Sequence, residues 1–152
     1  MAELQKKQFA SLEDLFGVNT DDRVRGEIKV QTIDGKYFVL PMKSIDAEEE
    51  QKIRKSSTKT IPQGKGKPAL EKMDESKYNS LMIAAATDET RTNINWKSPE
   101  LAKKVGSPVP NPEFIVPKFL SLGGIVKATQ YIVELSGLGQ DSMEDEIDAV
   151  KN

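Results

Sequence analysis

Apolar positions recur along this chain with two different periods, and the change of period marks the elements. From Gly26 to Thr32 the alternation is strict: Ile28, Val30 and Thr32 fall on one side, with charged or amide residues opposite. Asp34-Gly35 follows, then the run Lys36-Tyr37-Phe38-Val39-Leu40. An Asp-Gly pair between two such runs predicts a β-hairpin on a type I′ turn, which needs positive φ at both central residues. Pro41 is expected to end the second strand. A two-stranded hairpin is marginal alone in water, so a helical core is expected to cover it.

Elsewhere the period is helical. The densest apolar stretch runs from Asn111 to Gly137. Asn111-Pro112 reads as an N-cap with proline at the first helical position. The run through Phe114, Ile115, Phe119 and Leu120 is interrupted by Pro117, which predicts a short or kinked helix ending near Gly123-Gly124. A second helix carries Ile125, Ala128, Ile132 and Leu135 on one face and stops at Gly137. Shorter helices are expected at Phe9–Phe16, with Phe9, Leu12, Leu15 and Phe16 on one face, and from Asp46-Ala47-Glu48-Glu49, a capping box opening a charged helix. Asp74 caps a helix with Tyr78, Leu81, Met82 and Ala85 inward and Lys77, Asn79 and Ser80 outward. Ser98-Pro99-Glu100 opens a short one closed by Gly106, and Trp96 just before it reads as a staple onto the core.

Between the charged helix and Asp74 the composition shifts to SSTKTIPQGKGKPAL, which predicts a flexible linker. The predicted organisation is α+β and mainly helical, an N-terminal β-hairpin packed on a bundle of short helices. Residues 1–56 hold the first helix, the hairpin and the charged helix; 57–70 form a flexible basic linker; 71–139 form the helical core; 140–152 form an acidic C-terminal helix or tail. In that tail Met143, Ile147 and Val150 line one side at helical spacing, to fold back on the body or to await a partner. The whole is expected to be one compact domain of 152 residues.

Composition narrows the chemistry. The chain contains neither cysteine nor histidine, which removes disulfides, thiolate chemistry, Cys/His zinc sites and Ser-His-Asp triads. No carboxylate lies in an apolar stretch that would raise its pKa, and no cofactor or metal motif is present. Gly64-Lys65-Gly66-Lys67-Pro68 lacks the spacing and the Ser or Thr of a phosphate loop, and the acidic clusters lack calcium-loop spacing. A non-enzymatic protein is expected. Net charge is −2, so only Lys52–Lys72 attracts phosphate: seven basic residues against Glu71 leave it at about +6. That segment supports a nucleic-acid-binding accessory role as one alternative, weakened because no aromatic residue within it can stack a base. No apolar run is long enough for a membrane span, and the N-terminus lacks the apolar core of a signal peptide.

The order of elements resembles the XkdN/YqbN-like tail assembly chaperones of long-tailed phages and defective prophages of Gram-positive bacteria. The matching features are the Leu-Glu-Asp-Leu segment at 12–15, the hairpin GEIKVQTIDGKYFVL, the helix AEEEQKIRK, the helix ending LMIAAAT and the unit INWKSPELAKKVG. Most specific is PEFIVPKFLSLGGIVKATQYIVELSGLG, two helices ending in an ELSGLG motif at Glu134–Gly139.

The resemblance implies a non-catalytic chaperone in the host cytoplasm that binds the tape measure protein and keeps it soluble during tail assembly. The tail tube protein and a second copy of the chain are further expected partners, and no cofactor is implied. Its nearest alternative is a structural subunit retained in a phage tail or tail-like particle. The family brings no site motif. Amphipathicity instead nominates Phe114, Ile115, Phe119, Leu120, Met143, Ile147 and Val150 as partner contacts.

Overall fold

The computed structural model of the chain describes residues 9–138. Along them run α1 (Leu12–Phe16), β1 (Arg25–Gln31), β2 (Tyr37–Lys43), α2 (Ala47–Ser57), β3 (Thr58–Ile61), β4 (Leu70–Met73), α3 (Glu75–Ala86), α4 (Pro99–Lys104), α5 (Pro112–Phe119) and α6 (Leu122–Val133). A π-type turn at Glu134–Leu138 follows, with Gly137 in the left-handed region. The fold is α+β and mainly helical, its first hairpin laid against short helices. The acidic tail expected over 140–152 lies outside the described residues.

Helices begin where a short polar side chain can take an otherwise unpaired amide proton. Ser11, Asp46, Asp74, Ser98 and Ser121 each accept from a first-turn N–H, and Ser11 and Asp46 complete capping boxes with Asp14 and Glu49. Asn111 makes no such bond; Pro112, already at helical φ, starts α5 without it. Around α3 the core closes, because α2, α5 and α6 all pack on it. Met82, Ile83 and Ala86 of α3 are buried with Ile115 and Val116 of α5 and Ala128 and Ile132 of α6. This wrapping is wider than the predicted face. Ser80, expected outward, is fully buried, while Leu81 is only half-buried.

β1 and β2 pair antiparallel, with Val30 opposite Phe38 and Ile28 opposite Leu40. The turn differs from the expected type I′. Thr32 N–H donates to Lys36 O and Gly35 N–H to Thr32 O, so residues 33–35 form a three-residue loop. Only Gly35 takes positive φ, at +86°, which is a type I turn closed by a glycine bulge. Pro41 does not end the strand, which runs on to Lys43. Hydrogen-bonded pairs fall at Thr32/Lys36 and Val24/Ser44, so by alternation the Glu27/Pro41 pair is a non-bonded one. The missing proline N–H therefore costs the ladder nothing.

The β1 edge of this small sheet is covered along much of its length, and the β2 edge near Pro41. On the β1 side, Gln31 O accepts from Ser121 N–H, Ile33 N–H donates to Phe119 O, and Lys127 Nζ donates to Lys29 O at 2.8 Å. On the β2 side, Asp88 N–H donates to Pro41 O. Such coverage suppresses edge-to-edge pairing with other chains.

Two further expectations are corrected. In and around the segment read as a flexible linker, β3 and β4 form a second antiparallel hairpin, from Thr58 opposite Met73 to Ile61 opposite Leu70. It continues directly from α2, and Asp74 N–H donates to Ser57 O at 2.7 Å at its base. The break between α5 and α6 falls at Leu120-Ser121, because Ser121 caps α6. Gly123 and Gly124 thus lie inside the first turn of α6. A Cβ on Gly124 would stand 2.5 Å from Gln31 O, so the bare residue is what lets α6 approach β1.

Candidate partner-binding grooves

The segment between α3 and α4 is held by one buried carboxylate. Asp88, 1% exposed, receives bonds from Arg25 Nη1 at 2.6 Å, Arg91 Nε at 2.7 Å and the Thr90 hydroxyl at 2.7 Å. Arg91 also donates to Gly26 O and Met42 O, tying both strands to this segment. The Arg25 guanidinium above all, with Thr90 and Arg91, holds the Asp88 carboxyl far below the usual carboxylate range, against the opposing effect of burial. Beside this clamp, Trp96 Nε1–H donates to the Thr87 hydroxyl at 2.9 Å. That hydroxyl in turn donates to Ile83 O, so the indole is anchored to the end of α3.

Ile94 and Trp96 line two grooves. The first groove, about 570 Å³, is bounded by α2 and α3, with Ile53, Leu81 and Ala85 in its lining and Lys43, Glu49, Glu89 and Lys97 around it. The second, about 470 Å³, is lined by Phe38 of β2, Ile94, Trp96, Pro99 and Leu101 of α4, and Phe119 of α5. Trp96 and Phe119 meet edge to face at 6.3 Å, a favoured aromatic geometry that fixes both rings. Both volumes fall in the range of about 300–1,000 Å³ usual for ligand clefts. Among the described residues, no group of three or more Asp and Glu side chains is arranged to hold a metal ion.

The nominated contact residues separate on this surface. Ile115 and Leu120 are 0% and 1% exposed and belong to the core, so the closed chain offers them to no partner. Their burial follows from α5 packing on α3 and, more lightly, on α6, while Leu120, just past its end, bridges to Thr32. Phe119 is half-buried and lines the second groove. Phe114, 46% exposed, lies five residues earlier, about 140° around the helix, and does not line that groove. Met143, Ile147 and Val150 lie outside the described residues. Sequence reading missed Phe38, Ile94 and Leu101. The one available signal was Phe38, which shares the inward side of the hairpin with Val30 and Leu40 yet remains 48% exposed.

Apolar side chains also stand out on α1 and just before it. Phe9, Leu12, Leu15 and Phe16 are 60–85% exposed, and no residue of α1 is buried.

Comparison with known proteins gives one match. The sequence model of a family described as phage XkdN-like tail assembly chaperone protein matches residues 12–151. No curated protein and no solved structure matches.

Proposed function

Starting from the fact that the chain belongs to the phage XkdN-like tail assembly chaperone family, we propose that it binds the tape measure protein and keeps it soluble until tail tube subunits assemble around it. A phage tail assembly chaperone acts on tail proteins within the host cell, and the family points to a role without catalysis. No helix among the described residues is long and apolar enough to cross a membrane.

The observation that carries the proposal is the aromatic groove of Phe38, Trp96, Leu101 and Phe119. A long helix with an apolar stripe aggregates when its assembly partner is absent. A groove of this kind covers such a stripe one or two turns at a time, the mode in which amphipathic helices are bound. Binding stays reversible because the lining is small and its rim polar. Phe114 supplies a second, separate contact, and Met143, Ile147 and Val150 extend the surface in this reading.

The test is co-expression with the longest helix-rich protein encoded beside this one, followed by affinity purification and sizing. Co-elution that keeps the larger protein in solution supports the reading. A larger protein that is soluble and ignores this chain removes it, and a chain found instead in stoichiometric amount in purified tails identifies a structural subunit.

A further inference from the structure

We infer that the outer face of the β3–β4 hairpin is the docking site of the chain's own acidic segment, residues 141–150, which lies beyond the described residues. The inference does not depend on which protein the chaperone binds. Lys59 stands opposite Lys72 and Ile61 opposite Leu70, and because side chains alternate along a strand, both pairs share one face. The other face carries Met73, which packs on the core, so the lysine face points away from the body. Ile61 and Leu70 are 42% and 49% exposed on it. Like charges directly opposite on paired strands destabilise the pairing, and neither lysine forms an ion pair among the described residues. An occupant of this face has to bring carboxylates and apolar side chains together.

The sequence of 141–150 supplies both. Asp141, Glu144, Asp145, Glu146 and Asp148 are accompanied by no basic residue, whereas Lys59, Lys65, Lys67 and Lys72 against Glu71 leave 58–73 at +3. Met143, Ile147 and Val150 are spaced four and three apart. On a helix that spacing forms one apolar side to meet Ile61 and Leu70, with carboxylates beside it for the two lysines. The carboxylates of α2 and its cap are already engaged, Asp46 and Glu49 with Arg23, Glu48 with Lys52 and Glu50 with Arg54. Residues 58–73 contain no aromatic side chain to stack a base, so the exposed aliphatic pair favours a protein segment over a nucleic acid.

Position selects the chain's own segment. Ser136 Oγ accepts from Ile45 N–H at 3.0 Å, so the described chain ends beside the start of α2, and the hairpin continues from the other end of α2. That helix is acidic in its first turn, at Glu48, Glu49 and Glu50, and basic in its last, at Arg54 and Lys55. An acidic segment leaving Ser136 is therefore repelled where it starts and drawn along α2 toward the hairpin. Eleven helical residues and three flanking steps put Lys59 at most about 27 Å from Ile45. The 12 steps from Ser136 to Asp148 cover about 18 Å when helical and about 42 Å when extended, so a segment helical in part spans the distance. Tethering over so short a length gives a millimolar effective concentration, above that of a second copy in a micromolar solution. Docked in this way, Met143, Ile147 and Val150 are covered in the free chain and become available when a partner displaces the segment.

The experiment is carbodiimide coupling of the purified full chain at low micromolar concentration, which joins a lysine amine to a carboxylate in contact with it. Links are mapped by mass spectrometry in the monomer band, and Lys77–Glu113, 3.9 Å apart, provides the control link in every sample. Expected are links from Lys59 or Lys72 to carboxylates within 141–148, reduced at least tenfold in Ile61→Asp/Leu70→Asp with the control link retained. That variant keeps both lysines, and its two positions are exposed, so the fold persists, which circular dichroism checks. A control link with none from Lys59 or Lys72 to 141–148 overturns the inference. So do links confined to a dimer band, which assign the face to a second copy, and links unchanged in the double variant, which reduce the contact to diffuse charge attraction. Salt-dependent binding of a single-stranded oligonucleotide by a chain that forms no such link assigns the lysines to phosphate and equally overturns it.

Discussion

Arg25 and Asp88, 63 positions apart, meet at 2.6 Å, and this pair joins the start of the hairpin to the segment that carries Trp96. The carboxylate is buried while the guanidinium remains 41% exposed. The bond thus locks a loop to a sheet edge without sealing two charges away from water, which avoids most of the penalty of a fully buried ion pair.

Asp88→Asn is therefore expected to destabilise the fold by about 1–2 kcal/mol at neutral pH. That is the scale of charge-assisted hydrogen bonds, reduced because both arginines are partly exposed. The folded-state pKa of Asp88 is lowered, so its contribution is complete above the unfolded value, near 4. It is lost as pH falls below that value through the folded one. Urea titrations at pH 7 and pH 3 check this: the gap between wild type and variant narrows at the lower pH, and a constant gap would show that Asp88 acts by shape alone.

Gly123 and Gly124 are adjacent and should respond oppositely. A methyl group at Gly124 runs into the backbone of Gln31, whereas at Gly123 it meets nothing within 4 Å. Gly124→Ala is expected to cost about 1–3 kcal/mol by forcing α6 off β1. Gly123→Ala is expected to be neutral or to stabilise by up to about 1 kcal/mol through helix propensity. Thermal unfolding of the two variants measures the difference directly.

Phe38 offers the cleanest probe of the second groove, being its most accessible aromatic for which exposure and lining coincide. Phe38→Asp is expected to leave the melting temperature within a few degrees and to weaken partner binding at least tenfold, about 1.4 kcal/mol or more. Phe114→Asp, on the other side of α5, should weaken it less. Titration calorimetry of both variants against the purified partner distinguishes the two contacts; equal losses would merge them into one surface.

Features set by neighbouring residues were legible in the sequence. The capping box at Asp46, the helix start at Asp74 and the position of the first hairpin depend on contacts within a few residues. The type of turn was not legible, because Ile33 N–H is bonded across the fold to Phe119 O rather than within the hairpin. Nor was the second hairpin: its strands are four residues each, with side chains mostly exposed, so no alternation of burial reaches the sequence. Ser80 was misplaced because α3 is enclosed on several sides, where amphipathic periodicity loses its meaning. The second groove draws Phe38, Trp96, Leu101 and Phe119 from separate parts of the chain, and only the tertiary fold brings them together. The family resemblance, by contrast, was carried by linear motifs and agrees with the match over residues 12–151.

The most direct test of the chaperone account dilutes denatured tape measure protein into buffer with increasing amounts of this chain and measures what remains in the supernatant after centrifugation. The account predicts that soluble tape measure protein rises with added wild-type chain to a stoichiometric plateau, and rises far less with Phe38→Asp. Sedimentation of the same amount at every concentration of wild-type chain would contradict it.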